Sequence, residues 1–147
     1  MPGYKGHIAG AVVAFSLMLL VVTHYYQVSF LTSLQWFLIT VAGALFPDVD
    51  IKSKGQGIFY RILFLILLFL YIRGQWRLGA ALGVIGMIPL LVRHRGLFHK
   101  PLFIIVLAGG LVFFGSSWWP CYTALFTFNA CFFITGALSH IFLDRIT

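Results

Sequence analysis

The sequence predicts an all-α protein, a polytopic membrane helix bundle, and its composition and hydropathy lead to that prediction. Of the 147 residues, 61% are hydrophobic and only 9% are charged, whereas soluble domains are about 25% charged. The mean hydropathy is +1.02. A soluble chain of this length could not bury so much apolar surface in one core. We therefore expect lipid as the solvent and a single transmembrane helical domain over residues 1–147.

Apolar runs divide the chain into about six transmembrane helices, with ends fixed to within a few residues. Several runs are shorter than the ~20 helical residues that cross a bilayer about 30 Å thick. Arg61, Trp76 and Trp118 flank such runs and are suited to anchoring them at the interface. Gly79 and Gly83 form a GxxxG pattern, which predicts a close helix contact. The runs are Ile8–Thr23, Ser29–Phe46, Ile58–Ile72, Leu78–Val92, Pro101–Trp119 and Cys121–Leu143.

The distribution of basic residues predicts the orientation in the membrane. Cytoplasmic segments carry an excess of Lys and Arg, and the split is seven to two if the N-terminus is cytoplasmic. Both termini are therefore expected in the cytoplasm. The cations on that side are Lys5, Lys52, Lys54, Arg93, Arg95, Lys100 and Arg145, and those opposite are Arg73 and Arg77.

A net charge of +7 would suggest nucleic acid as a partner in a soluble protein. Here the cations lie in short loops between apolar runs, where topology accounts for them. We expect membrane lipid as a partner and no nucleic acid. The oligomeric state does not follow from these features.

The rare ionisable residues are predicted to lie at one membrane face. The chain has no glutamate, three aspartates and five histidines. All of these except His24 fall at the cytoplasmic ends of the runs. They are His7, Asp48, Asp50, His94, His99, His140 and Asp144.

His140 and Asp144 are four residues apart and so share a helix face. Gly136 lies one turn earlier and suits a face turned toward the bundle interior. Asp144 is in the last helical turn, where the helix dipole disfavours an anion. A bound cation would resolve that conflict, and a solvated helix end is the alternative.

After the His140–Asp144 pair, two loops are the second and third pieces of the predicted site. In Pro47-Asp48-Val49-Asp50 the proline stops a helix and leaves two carboxylates that can reach one cation. An ordinary Pro-Asp turn is the alternative. His94 and His99 are five residues apart and can converge across a turn at Gly96, although a basic loop needs no such explanation.

His7 opens the first run and is the fourth piece. Gly10, Ala11 and Ala14 extend a small-residue face from it, which predicts that His7 turns inward. A single histidine of this kind is more often structural than a ligand. Together, however, the four pieces offer four imidazoles and three carboxylates, which suit one or two divalent ions such as Zn or Mn. Each ionisable residue at membrane depth costs ~2.5–3.5 kcal/mol, so their clustering indicates a function.

At these residues the chain resembles the YdjM-like family of bacterial inner-membrane proteins, which are described as metal-dependent hydrolases. The resemblance rests on Gly6-His7, on Leu45 to Asp50 followed by Gly55-Gln56, on His94-Arg95-Gly96 with His99, and on Ser139-His140 with Asp144 and Thr147. The family usually has Thr and Ser around the second loop histidine, where this chain has Phe98 and Lys100. The resemblance implies a multi-pass protein of the bacterial inner membrane and a metal site.

The combined hypothesis is metal-assisted hydrolysis at the cytoplasmic interface. In it Asp50 acts as base and Arg95 stabilises an anionic transition state if the substrate is a phosphoester. The His-x3-Asp pair is also similar to pairs in zinc-dependent phospholipases C, which favours a lipid phosphoester by analogy alone. Metalloproteases with an HExxH motif are excluded because they need glutamate. The alternative is a non-catalytic metal-binding membrane scaffold or regulatory protein.

Overall fold

The computed structural model describes residues 3–50, 53–91 and 97–146. Within these ranges the secondary structure consists of helices joined by short connections, without strands. The all-α prediction is confirmed, and a helix covers each of the six apolar runs. The largest shift is that the first and third helices begin four residues before the runs that predicted them. The helices are α1 (Tyr4–Tyr25), α2 (Phe30–Leu45), α3 (Lys54–Ile72), α4 (Trp76–Leu91), α5 (Pro101–Trp118) and α6 (Thr123–Ile146), with short 3₁₀ helices at Pro47–Asp50, Leu97–His99 and Pro120–Tyr122.

Four segments are long and apolar enough to cross a membrane: α1, α3, α5 and the stretch Pro120–Ile146 that contains α6. Their mean hydropathies lie between 1.5 and 2.1. The remaining two helices, α2 and α4, are apolar but shorter. At 16 residues, α2 is about 24 Å long.

Capping serines begin α2 and α3, and Pro47 ends α2. Ser29 caps α2 by accepting a hydrogen bond from the Thr32 amide, and α2 ends two residues before Pro47 because proline cannot continue it. Ser53 accepts from the Gln56 amide to cap α3. The same hydroxyl donates to the Asp48 carbonyl at 2.9 Å, which fixes the turn between α2 and α3.

The core is built around α6, against which α1, α2 and α5 pack. Trp36 of α2 stacks on Phe132 of α6 at a centroid separation of 4.7 Å, and Val22 of α1 completes that cluster. On the other side of α6, Ile104 of α5 packs against Ala137. Because three helices pack against α6, residues Ala137, His140 and Ile141 near its C-terminal end are buried.

Two glycines allow α2 and α6 to approach backbone to backbone. A Cβ at Gly136 would clash with the Thr40 carbonyl, and a Cβ at Gly43 would clash with the Phe133 carbonyl. Gly136 is buried, as the sequence predicted for its face of α6. The close contact sets the distance between the end of α2 and His140, which lies one turn beyond Gly136.

The contact predicted from the GxxxG pattern of α4 is wrong in its position. The nearest atom to a Cβ at Gly79 is Leu70 Cβ at 3.9 Å, and among the described residues nothing lies within 4 Å of one at Gly83. The tight contact is instead between Gly86 and the Leu63 side chain of α3. Gly86 is seven residues after Gly79 on one helix face, and Gly83 lies to the side of that line.

Candidate metal centre

Five of the seven ionisable residues singled out in the sequence meet at one end of the bundle. His7 is in the first turns of α1, Asp48 in the 3₁₀ helix after α2, and His99 in the 3₁₀ helix before α5. His140 and Asp144 are on the last turns of α6. The side chain of Asp50, together with all of His94 and Arg95, lies outside the described residues. His24 is exposed at the opposite end of α1.

His140 is fully buried between two carboxylates. Its Nε2 atom lies 3.5 Å from Asp48 Oδ1 and 3.4 Å from Asp144 Oδ2. Both distances exceed the 2.7–2.9 Å that is usual, roughly, for a charge-assisted N–H···O bond. Nε2 is accordingly without a hydrogen-bond partner among the described residues.

The other ring nitrogen of His140 fixes its tautomer. Nδ1 lies 2.7 Å from the Ala44 carbonyl, and because a carbonyl can only accept, Nδ1 must donate its proton. A neutral His140 therefore points its Nε2 lone pair at two carboxylates. That arrangement is repulsive unless a proton or a cation lies between them. An Nδ1–H bonded to a backbone carbonyl is also the usual orientation of a metal-ligating histidine.

His99 and His7 complete the group that surrounds the two carboxylates. His99 Nε2 lies 3.7 Å from both Asp48 Oδ1 and Asp144 Oδ2. His7 Nε2 lies 3.6 Å from Asp144 Oδ1, and its ring stacks on that of His140 at 3.7 Å between centroids. Asp144 thus directs one oxygen at His7 and the other at His99 and His140.

The nitrogen–oxygen separations in the cluster are close to those between neighbouring ligands of one ion. In a zinc site with bonds of about 2.0–2.1 Å, neighbouring ligand atoms lie roughly 3.3–3.4 Å apart. The four measured nitrogen–oxygen separations among Asp48, His99, His140 and Asp144 run from 3.4 to 3.7 Å. Two sets of three residues have ligand atoms within 4.8 Å of one another: His7, His140 and Asp144, and Asp48, His99 and His140. His140 belongs to both sets.

The charge state of Asp48 suits a ligand. Burial by itself raises the pKa of this carboxyl. The close approach and positive charge of a protonated His140 oppose that effect, with further contributions from the charges of His7 and His99, and they hold the pKa below its ordinary value. Asp48 is therefore ionised at neutral pH.

Two residues that position the site were not among the site residues predicted from the sequence. Ala44 acts through its carbonyl, and any residue would supply one. Phe98 is 4% exposed and packs edge-on against Phe46 and Phe103, so it anchors the turn that presents His99. Its departure from the family pattern is the feature that marks it in the sequence.

A helical bundle with membrane-length apolar helices and a buried His–Asp cluster at one end defines a multi-pass membrane protein with a candidate metal centre. More particularly, the chain belongs to the YdjM inner membrane protein family, whose model matches residues 1–147. The family and the inner-membrane location predicted from the sequence are thereby confirmed. No curated protein and no solved structure matches the chain.

Proposed function

We propose that the protein is a membrane-embedded, metal-dependent hydrolase whose site faces the cytoplasm and acts on a lipid phosphoester. The observation that carries the proposal is the environment of His140. Its Nε2 atom is buried, faces two carboxylates at 3.4 and 3.5 Å, and has a tautomer fixed by the Ala44 carbonyl. Buried charges of one sign need a compensating partner, and a cation shared by these groups supplies it.

The donors favour one or two borderline divalent ions, Zn or Mn. His7, Asp48, His99, His140 and Asp144 would hold them, and Asp50 and His94 are near enough in sequence to complete the set. A catalytic zinc typically uses three protein ligands and leaves one position open. Together with Asp50 and His94 the donors number seven, which is ample for two ions and leaves one carboxylate, Asp50, for proton transfer.

The roles of the chain's own residues follow from their chemistry. A bound divalent ion supplies charge stabilisation to a phosphoryl oxygen and makes water more acidic. Asp50 would accept the proton of the attacking water, since it follows Asp48 closely in sequence and a carboxylate is a suitable base. Arg95 would donate hydrogen bonds to the anionic phosphoryl oxygens.

The topology proposed with this function has six membrane crossings and both termini in the cytoplasm. It is supported by the seven-to-two division of cations and by the alternation of the helices, since α1, α3 and α5 begin at the site end and α2, α4 and α6 end there. The short helices α2 and α4 would be accommodated by local thinning of the bilayer.

A non-catalytic metal-binding scaffold is the second candidate, and one observation favours it. The described His–Asp cluster offers more donors than the three that a catalytic zinc typically uses, and a closed set of four protein ligands is typical of a structural zinc site. Metal binding is common to both candidates, so turnover is the property that separates them.

The test is to purify the protein in mild detergent, measure bound metal by elemental analysis, and assay it against a panel of lipid phosphoesters. We expect about one or two equivalents of a transition metal that a chelator removes, and hydrolysis that metal restores. His140→Ala should lose both, whereas His24→Ala, at the opposite end of α1, should keep both. Metal without any hydrolysis would favour the scaffold, and absence of metal in the parent protein would refute both candidates.

A further inference from the structure

An apolar cavity of about 550 Å³ separates α3 from α2, α5 and α6. This volume lies within the range of ligand-binding clefts, roughly 300–1,000 Å³. Its lining on α3 includes Ile58, Ile62 and Ile66, which share one helix face. Among the described lining residues only Asn129 has a polar side chain, and its amide oxygen accepts a hydrogen bond from Gln35 of α2. The interior is therefore suited to hydrocarbon.

One end of the cavity is lined by residues that neighbour the candidate metal centre in sequence. Phe46 and Val49 line its end, and Asp48 of the His–Asp cluster lies between them in sequence. A molecule in the cavity would thus have one end beside a group of charged ligands. The geometry of an apolar slot that ends at a polar cluster matches an amphipathic ligand.

The length of the cavity matches one leaflet of a membrane. From Gly55 to Ile66 its lining spans twelve residues of α3, or about 16 Å of helix. The hydrocarbon core of a bilayer is about 30 Å thick, so one leaflet is about half of that. Leu111 lines the cavity and is nevertheless 66% exposed, so the cavity opens on the lipid-facing surface. A lipid could enter it sideways from the bilayer.

We infer that this cavity binds one acyl chain of a phospholipid and places the headgroup phosphate at the His–Asp cluster. The inference rests on the proposed function in one respect, that the bound lipid is the substrate. Binding of the acyl chain itself needs no metal. Binding of the acyl chain should depend on the open space between α3 and α6. A larger side chain at Ala130 or Ala42 would fill that space. Both residues line the cavity.

The experiment uses the full chain in nanodiscs that contain a phospholipid with a photoreactive diazirine in its acyl chain. After irradiation, labelled peptides are quantified by mass spectrometry. In the parent protein we expect labelling at Leu63 and Phe133, inside the cavity, to exceed labelling at Phe113, which is 69% exposed to lipid. Ala130→Phe and Ala42→Phe should lower the cavity labelling about tenfold, as loss of ~1.4 kcal/mol of binding would.

Ala124→Phe is the matched control, because Ala124 is exposed on the same helix as Ala130 and is not in the cavity lining. It should leave the labelling unchanged. Metal content and size-exclusion profile are measured on every sample. Because Ala42 is exposed, Ala42→Phe still tests the inference if Ala130→Phe does not fold. Cavity labelling equal to that of Phe113, or labelling indifferent to both filling variants, would overturn the inference. So would cross-links showing that a second copy of the chain fills the cavity.

The two hypotheses fail separately in this experiment. A parent protein without metal but with cavity labelling that the filling variants abolish would refute the proposed function and support the acyl site. A parent protein with metal and uniform labelling would refute the acyl site and leave the metal centre standing.

Discussion

At the residue scale, the two nitrogens of His140 determine what the cluster can do. The Ala44 carbonyl accepts the Nδ1 proton, so Nε2 is the atom that faces Asp48 and Asp144. The simpler interpretation of the end of α6 was a solvated His–Asp pair. Since His140 is fully buried, that interpretation does not describe the histidine, although the Asp144 side chain retains 16% exposure.

The first prediction at this scale concerns Asp144→Asn. The amide keeps the shape of the side chain but removes the anion that lies beside His7, His99 and His140, so metal affinity should fall about 10–100-fold, the scale found for altered groups around metal sites. Arg145→Gln is the control, because Arg145 is adjacent in sequence and exposed. Metal content would be measured after dialysis against a graded chelator. If the parent and Asp144→Asn retain metal equally, the His140–Asp144 pair has a structural role only.

The second prediction separates Arg95 from His99. A guanidinium is no metal ligand, so Arg95→Ala should keep the metal but slow hydrolysis of a responsive lipid phosphoester about a hundredfold, roughly 3 kcal/mol of lost oxyanion stabilisation. His99→Ala should lower metal content and activity together. The measurements are elemental analysis and steady-state rates. If Arg95→Ala matches the parent in every lipid assay, Arg95 is a topogenic charge.

At the scale of the elements, the approach of α2 and α6 positions the centre. Gly136 meets the Thr40 carbonyl and Gly43 meets the Phe133 carbonyl, so the helices pack without intervening side chains. This contact allows the end of α2 to present a carbonyl to His140. The geometry of the site therefore depends on two residues that have no side chain.

The prediction at this scale is that Gly136→Ala destabilises the protein although alanine favours helix. The added methyl meets backbone, which cannot move aside, and overpacking of this kind costs about 1–3 kcal/mol. Gly109→Ala in α5 is the control, since nothing described lies within 4 Å of its Cβ position and helix propensity alone should be neutral or favourable. Thermal denaturation in detergent would show a lower midpoint for Gly136→Ala alone, with loss of metal. Equal midpoints would show that α2 and α6 do not approach so closely.

At the scale of the whole molecule, the site lies at one end of the bundle because the helices alternate in direction. The start of α1 contributes His7, and the end of α6 contributes His140 and Asp144. The 3₁₀ helices after α2 and before α5 contribute Asp48 and His99. The α3–α4 pair packs less closely against the other four helices, and the apolar cavity lies between α3 and those helices.

The prediction at this scale concerns orientation. Reporters fused after Thr147 and inserted within residues 52–57 should both report the cytoplasm, and one near Ser117 should report the opposite side. The reason is the seven-to-two division of cations between the two ends. Paired alkaline phosphatase and fluorescent protein fusions give the measurement. Finding the Ser117 reporter on the same side as the 52–57 reporter would contradict six crossings.

Much of this protein followed from the sequence by itself, because composition and apolar periodicity are properties of short segments. They were enough to predict a membrane protein, the six helices and, through the positions of His7, Asp48, His99, His140 and Asp144 at the helix ends, which side chains could share one depth. The tertiary structure alone decided the contacts. The contacts depend on how each helix is rotated and spaced against its neighbours. This decides that His140 meets the Ala44 carbonyl, 96 residues away, and that Gly86 rather than Gly83 is the contact on α4. It also decides that a cavity remains beside α3. Those rotations are set by packing between distant segments, and no local pattern encodes them.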